Sequence, residues 1–179
     1  MHLSINIAVR RLSKIIVLMT LSLIFVGALI KSHEVGLSVP DWPTSYGKQM
    51  FSFPFSDMVG GIFYEHGHRL FATIVGFFTL LQFIALSFTN YPSWIKKMSF
   101  VALVLVIAQG ILGGMTVIFF LPPQISIIHG VLAQIFFVSI IFIAYSLSLS
   151  RVNKNSDPYP LFIRRAALII TLLVFVQLI

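Results

Sequence analysis

The chain has 179 residues, of which 58% are hydrophobic and 9% charged, with a mean hydropathy of +1.00. A soluble domain of this size needs far more charge to cover its surface, so composition excludes that class and points to a bilayer. The net charge of +7 comes from basic residues in short segments between apolar runs, an orientation pattern rather than a nucleic-acid surface. The absence of cysteine excludes disulfides, Cys-x-x-Cys-His attachment and thiolate metal sites.

In chain order, a basic segment 1–14 with Arg10, Arg11 and Lys14 precedes a first apolar span, Ile15 to Ile30. The same basic-then-apolar order also fits a signal peptide cut near Val26-Gly27-Ala28. A long loop, 31–64, leads to a second span, Leu70 to Phe88. Met98 to Ser150 then holds 53 residues without an Asp, Glu, Lys or Arg. A crossing takes about 20 apolar residues, so this stretch is two spans, Met98 to Leu121 and Ser126 to Ser150, broken at Pro122-Pro123-Gln124. A loop, 151–165, and a fifth apolar run, 166–179, follow. The fifth run is still apolar at Ile179, so the expectation is a chain that continues beyond it. The fold expected is all-α: a polytopic four-helix membrane bundle plus a truncated fifth span.

Basic residues set the orientation. With the N-terminus cytoplasmic, inner segments carry nine Lys or Arg and outer segments only Lys31 and Lys48, with Arg69 at a span entrance. The loop 31–64 is then outside, and the location expected is the plasma (inner) membrane. A weak repeat supports two similar hairpins. Gly27 to Pro40 and Gly110 to Pro123 have the same spacing, and His68-x-x-x-Ala72 and His129-x-x-x-Ala133 open the second and fourth spans. Duplication of this kind places functional groups at equivalent depth.

Ionisable groups inside spans are costly and mark sites. Glu65, His66, His68 and Arg69 lie at the entrance of the second span, and His129 lies one turn into the fourth. His68 and His129 therefore share a depth on helices of one direction, which suits axial ligation of a heme by two imidazoles. Ala72, Gly76 and Ala133 follow on the same helix faces and leave room for a flat ligand or a close neighbour. Glu65, His68 and Arg69 share one face. Arg69 suits a heme propionate. Glu65 suits orienting a ligand histidine or transferring a proton.

Plainer readings stand beside these. His66 is an interfacial polar residue, and Glu65–Arg69 is a simple intrahelical ion pair. His33 and Glu34 are solvated, Met115 is packing, and Gly110 with Gly113-Gly114 marks a close helix crossing. The outer loop from Gly36 to Gly47 carries prolines, glycines, Asp41 and Trp42, the composition of an ordered, turn-rich cover. Trp42 and Tyr46 serve equally as headgroup anchors or as a lid.

Gly36-Leu-Ser-Val-Pro-Asp-Trp-Pro43, Glu65-His-Gly-His-Arg69, Gln109-Gly-Ile-Leu-Gly-Gly-Met-Thr116, Pro122-Pro123 and His129-Gly-Val-Leu-Ala133 occur in this order. In combination they resemble the heme A synthase family, over roughly residues 12–179. The resemblance implies half of a pseudo-symmetric eight-helix protein that oxidises the C8 methyl of heme O to a formyl group, giving heme A for terminal oxidases. It implies heme O in this half, ligated by His68 and His129 beside the acidic Glu65, and an electron-relaying heme b in a second half. Implied partners are the bilayer, heme O synthase and a second copy of the chain; the electron donor is left open. Many members carry a cysteine pair in the first outer loop, whereas this chain has Ser45 and no cysteine. Two other readings use the same residues: a b-type cytochrome that only passes electrons, and a non-enzymatic scaffold or transporter bundle whose histidines join helices.

Overall fold

A computed structural model describes residues 2–148 and residue 165, with side chains from residue 6 onward. The fifth apolar run and nearly all of the loop 151–165 lie outside the described residues. Four helices carry the fold: α1 (His2–Ser32), α2 (Gly61–Ser87), α3 (Ser93–Ile118) and α4 (Pro123–Ser146). Each has the length and apolarity to cross a membrane, and helices satisfy their own backbone groups where no water can. The chain is an all-helical, multi-pass membrane protein.

Successive helices run antiparallel, α2 to α3 and α3 to α4 through short connections. α1 packs on α2 and α4, and α3 packs on the same two, so α2 and α4 stand diagonally across a ring. The long connection between α1 and α2, 33–60, covers one end, here called the loop end. It includes two short 3-10 turns, Met50–Ser52 and Phe55–Asp57, and the first of these rests on α2.

Helix limits differ from the apolar spans for electrostatic reasons. The α1 helix runs back through Lys14, Arg11 and Arg10, because charge ends a hydropathic run without ending a helix. The α2 helix begins nine residues before Leu70, so Glu65 to Arg69 are helical rather than an approach to the helix. Pro122 and Pro123 open α4 with Pro at its first position, where the missing N–H costs nothing. The α3 helix stops at Ile118, and Phe120 and Leu121 take left-handed φ values of 57° and 58°.

The apolar core is one-sided. Val9, Ile16, Val75, Leu86, Ile95, Ala102, Phe136, Ile140, Ile143 and Leu147 form its buried cluster. All lie between the middle of the bundle and the end away from the loop. There Ser13 Oγ donates to the Val9 carbonyl (2.8 Å) and accepts from Gln82 Nε2 (3.0 Å), tying α1 to α2. At that end Arg10 Nε donates to Tyr91 Oη at 3.0 Å. Towards the loop end, burial comes instead from polar groups of α2 and from the loop.

Candidate functional site

The first turns of α2 organise the loop end. Gly61 starts the helix where a Cβ would fall 2.1 Å from Ser38 Oγ, and Gly60 before it has φ 56°, so both positions demand glycine. One turn later Glu65 is buried at 5% exposure. Its Oε1 accepts from Arg69 at 2.7 Å and its Oε2 from the Val39 backbone N–H at 2.8 Å. Arg69 donates as well to the carbonyls of Val39 (2.8 Å), Asp41 (2.7 Å) and Thr44 (3.2 Å). The ion pair predicted along the helix face is therefore present, but it is no solvated surface pair. It clamps the backbone of residues 39–44 to α2.

The clamped segment is internally braced. Asp41 accepts from Thr44 Oγ1 and from the backbone N–H of Tyr46 (2.7 Å) and Gly47 (2.9 Å), an Asx-type turn. Burial raises the Asp41 carboxyl, but these hydrogen bonds outweigh it and hold the group below the ordinary carboxylate value. Tyr46 Oη donates to the Ser38 carbonyl. The Trp42–Pro43 peptide is cis. The Trp42 indole lies against α3, where a Cβ on Gly114 would come within 2.4 Å of the ring. The loop thus runs from α2 to α3 across the loop end. The ordered, turn-rich cover read from its composition is present.

His66 departs from the interfacial reading. It is 1% exposed, its Nδ1 lies 2.9 Å from the fully buried Ser45 Oγ, and Phe53 covers it at 4.9 Å between ring centroids. No local pattern announces this contact, which joins loop and helix across 21 positions. His33 lies at the surface, with Nδ1 2.9 Å from the Leu29 carbonyl and its ring stacked on Tyr64.

His68 and His129 are held differently. Each is half-buried, and each has a buried Nδ1 without a hydrogen-bond partner. A Cβ at Gly27 of α1 would lie 3.3 Å from His68 Cε1, and one at Gly113 of α3 would lie 3.4 Å from His129 Cε1. Each imidazole on the diagonal pair α2 and α4 therefore packs its edge against a glycine of the neighbouring helix. Gln109 Nε2 donates to the His129 carbonyl at 2.8 Å, fixing that turn of α4 to α3.

The glycine readings need correction. Gly113 and Gly114 seat His129 and Trp42, not a bare helix–helix crossing, and Gly110 has nothing near its would-be Cβ. The structural counterpart of Gly27 is thus Gly113, one turn beyond the Gly110 that spacing suggested. Gly76 faces Val106 of α3 at 4.0 Å, a close neighbour rather than ligand space. Among the described residues no three His, Cys, Asp or Glu converge as a metal cluster.

No curated protein and no solved structure matches the chain. A family model does, described as cytochrome oxidase assembly protein, and it covers residues 10–179. That match takes in α2, α3 and α4, all but the first eight residues of α1, the clamped loop and both histidines, and so the chain belongs to the cytochrome oxidase assembly protein family, the family of the heme A synthases.

Proposed function

We propose that this chain is the heme-O-binding half of a heme A synthase and serves oxidation of the C8 methyl of heme O to a formyl group. The observation that carries the reading is the pair of imidazoles on diagonal helices, each edge-packed on a glycine with a buried, unpartnered Nδ1. A buried polar atom without a partner calls for an explanation, and metal-ligating histidines characteristically use both ring nitrogens. The donor chemistry fits: two imidazoles with free ring nitrogens and no competing thiolate would suit a heme iron. His68 and His129 would hold the substrate heme, whose iron supplies the oxidative chemistry when bound.

The chain's own residues position and enclose. Glu65, fixed by Arg69 and the Val39 N–H, lies one turn from His68 and is the residue proposed to handle protons. Arg69 spends four hydrogen bonds on Glu65 and the loop, so it would act on a propionate through its charge more than through its fork. The loop 33–60 limits access from the aqueous side. By the positive-inside pattern this end faces outward and the N-terminus is cytoplasmic. A second four-helix half holding heme b, and handover from a heme O synthase, complete the reading.

A b-type cytochrome remains the second reading, favoured by one observation: both Glu65 carboxylate oxygens are already engaged, as a purely structural residue's would be. The test supplies heme O to the longer protein and analyses extracted hemes. Heme A supports the oxidase, and unchanged heme O with a b-type spectrum supports the carrier. His68→Ala and His129→Ala are expected each to lower retention of the added heme O among the extracted hemes; full retention in either removes it from the ligand pair.

A further inference from the structure

The loop carries an apolar arm that the histidine site does not use. Between Lys48, which pairs with Asp57 at 3.8 Å, and the start of α2, Phe51, Phe55 and Val59 are 66%, 83% and 65% exposed. The arm is built, not slack. Phe53 points the other way, buried between His66 and Tyr46 at centroid distances of 4.9 and 6.0 Å. Its two 3-10 turns are closed by backbone hydrogen bonds from Ser52 to Gln49 (2.9 Å) and from Asp57 to Pro54 (3.1 Å). Gly60 and Gly61 then fix the angle at which the arm joins α2.

The arm leads through Val59 and the Gly60-Gly61 pair directly into the exposed apolar side of α2. Phe63, in the first turn of α2, is 59% exposed, and Ile74, Phe77, Leu81 and Ile84 continue that outward side down the helix. Depth agrees. The 27 residues of α2 span roughly 40 Å at about 1.5 Å each, against a hydrocarbon core of about 30 Å. Shared between both ends, the excess leaves the start of α2 roughly 5 Å beyond the core, at headgroup level. Residues just before Gly61 therefore begin at the interface, where aromatic side chains gather.

We infer that residues 50–59 form an interfacial arm whose Phe51 and Phe55 insert into the adjoining lipid leaflet, while Lys48 and Asp57 stay at the polar surface. The occupant of this apolar surface is lipid rather than a protein partner, because the arm joins α2 at headgroup depth, directly before that helix's exposed apolar side. The inference does not depend on heme. It adds a second membrane attachment to the loop that Glu65 and Arg69 clamp from within.

The cysteine-free sequence makes the test direct. Phe55→Cys, Phe51→Cys and the water-side reference Gln49→Cys are each spin-labelled in the full chain and reconstituted in phosphatidylcholine nanodiscs. Collision with oxygen, which partitions into lipid, is compared with collision with a water-soluble nickel chelate. The expected result is an oxygen-to-nickel ratio several-fold higher at 55 and 51 than at 49. A nickel accessibility at 55 and 51 equal to that at 49 would overturn the inference by placing the arm in water. Low collision with both reagents would overturn it as well, by placing the arm against protein. Two labelled positions guard against one variant misfolding, and equal far-UV helicity to the unsubstituted chain is the control.

Discussion

At the scale of single residues, the loop end is governed by a few side chains that each satisfy several backbone groups. Glu65→Gln replaces an acceptor of two donors with a group that must turn an NH2 toward either Arg69 or the Val39 N–H. Breaking a buried ion pair from one side costs about 3 kcal/mol, and thermal unfolding should report a loss of that order. Arg69→Lys should give an intermediate loss, since a point charge cannot reach carbonyls spread over Val39, Asp41 and Thr44. Gly114→Ala puts a methyl into the Trp42 indole. In a Trp94→Phe background, where Trp42 is the remaining tryptophan, its emission should shift to the red; an unmoved spectrum would show that the ring has another seat.

Much of this site was legible in residue types and little of it in partners. Spacing along α2 put Glu65 and Arg69 together, because i and i+4 always share a face. Hydropathy and topology placed His68 and His129 near one end. Nothing local announced that Ser45 would meet His66, or that Trp42 would lie on Gly114. Those contacts join positions far apart in the chain and depend on how the loop folds back. The shift from Gly110 to Gly113 has a similar cause: equal spacing was matched along the sequence, whereas packing matches glycines to imidazoles at equal depth.

At the scale of elements, helix existence followed from apolar runs and helix ends did not. Charges at Arg10, Arg11 and Lys14, and at Glu65 and Arg69, interrupt hydropathy while the helices continue through them. The loop has its own pH dependence. The Asp41 carboxyl titrates below its ordinary value, so its contribution is complete above the unfolded value of about 3.9 and is lost as pH falls through the lower folded value. Trp42 emission should therefore hold from pH 7 to about 5 and change only in stronger acid. Asp41→Asn should show the altered emission already at neutral pH, and an Asn variant with normal emission would remove the Asx turn from the loop's support.

At the scale of the whole molecule, the ring of four helices is held in two ways. Away from the loop, Ile16, Leu86, Ile140 and their neighbours interlock, and in a bilayer such contacts act through close packing. Ile140→Ala should lower the thermal midpoint while leaving the Trp42 signal below the transition unchanged, since it lies at the opposite end. At the loop end the structure rests on hydrogen bonds and one buried ion pair.

That division sets an order of opening. Hydrogen bonds clamping 39–44 lie at an aqueous end, where denaturants that solvate peptide groups reach them, whereas the interlocked side chains of the other half lie within the bilayer. Amide exchange should accordingly sweep the molecule like a zip, reaching the segment before Gly61 and the first turns of α2 first, and Phe136 to Ser146 last. The end with the imidazoles is thus the end free to breathe while the other stays shut.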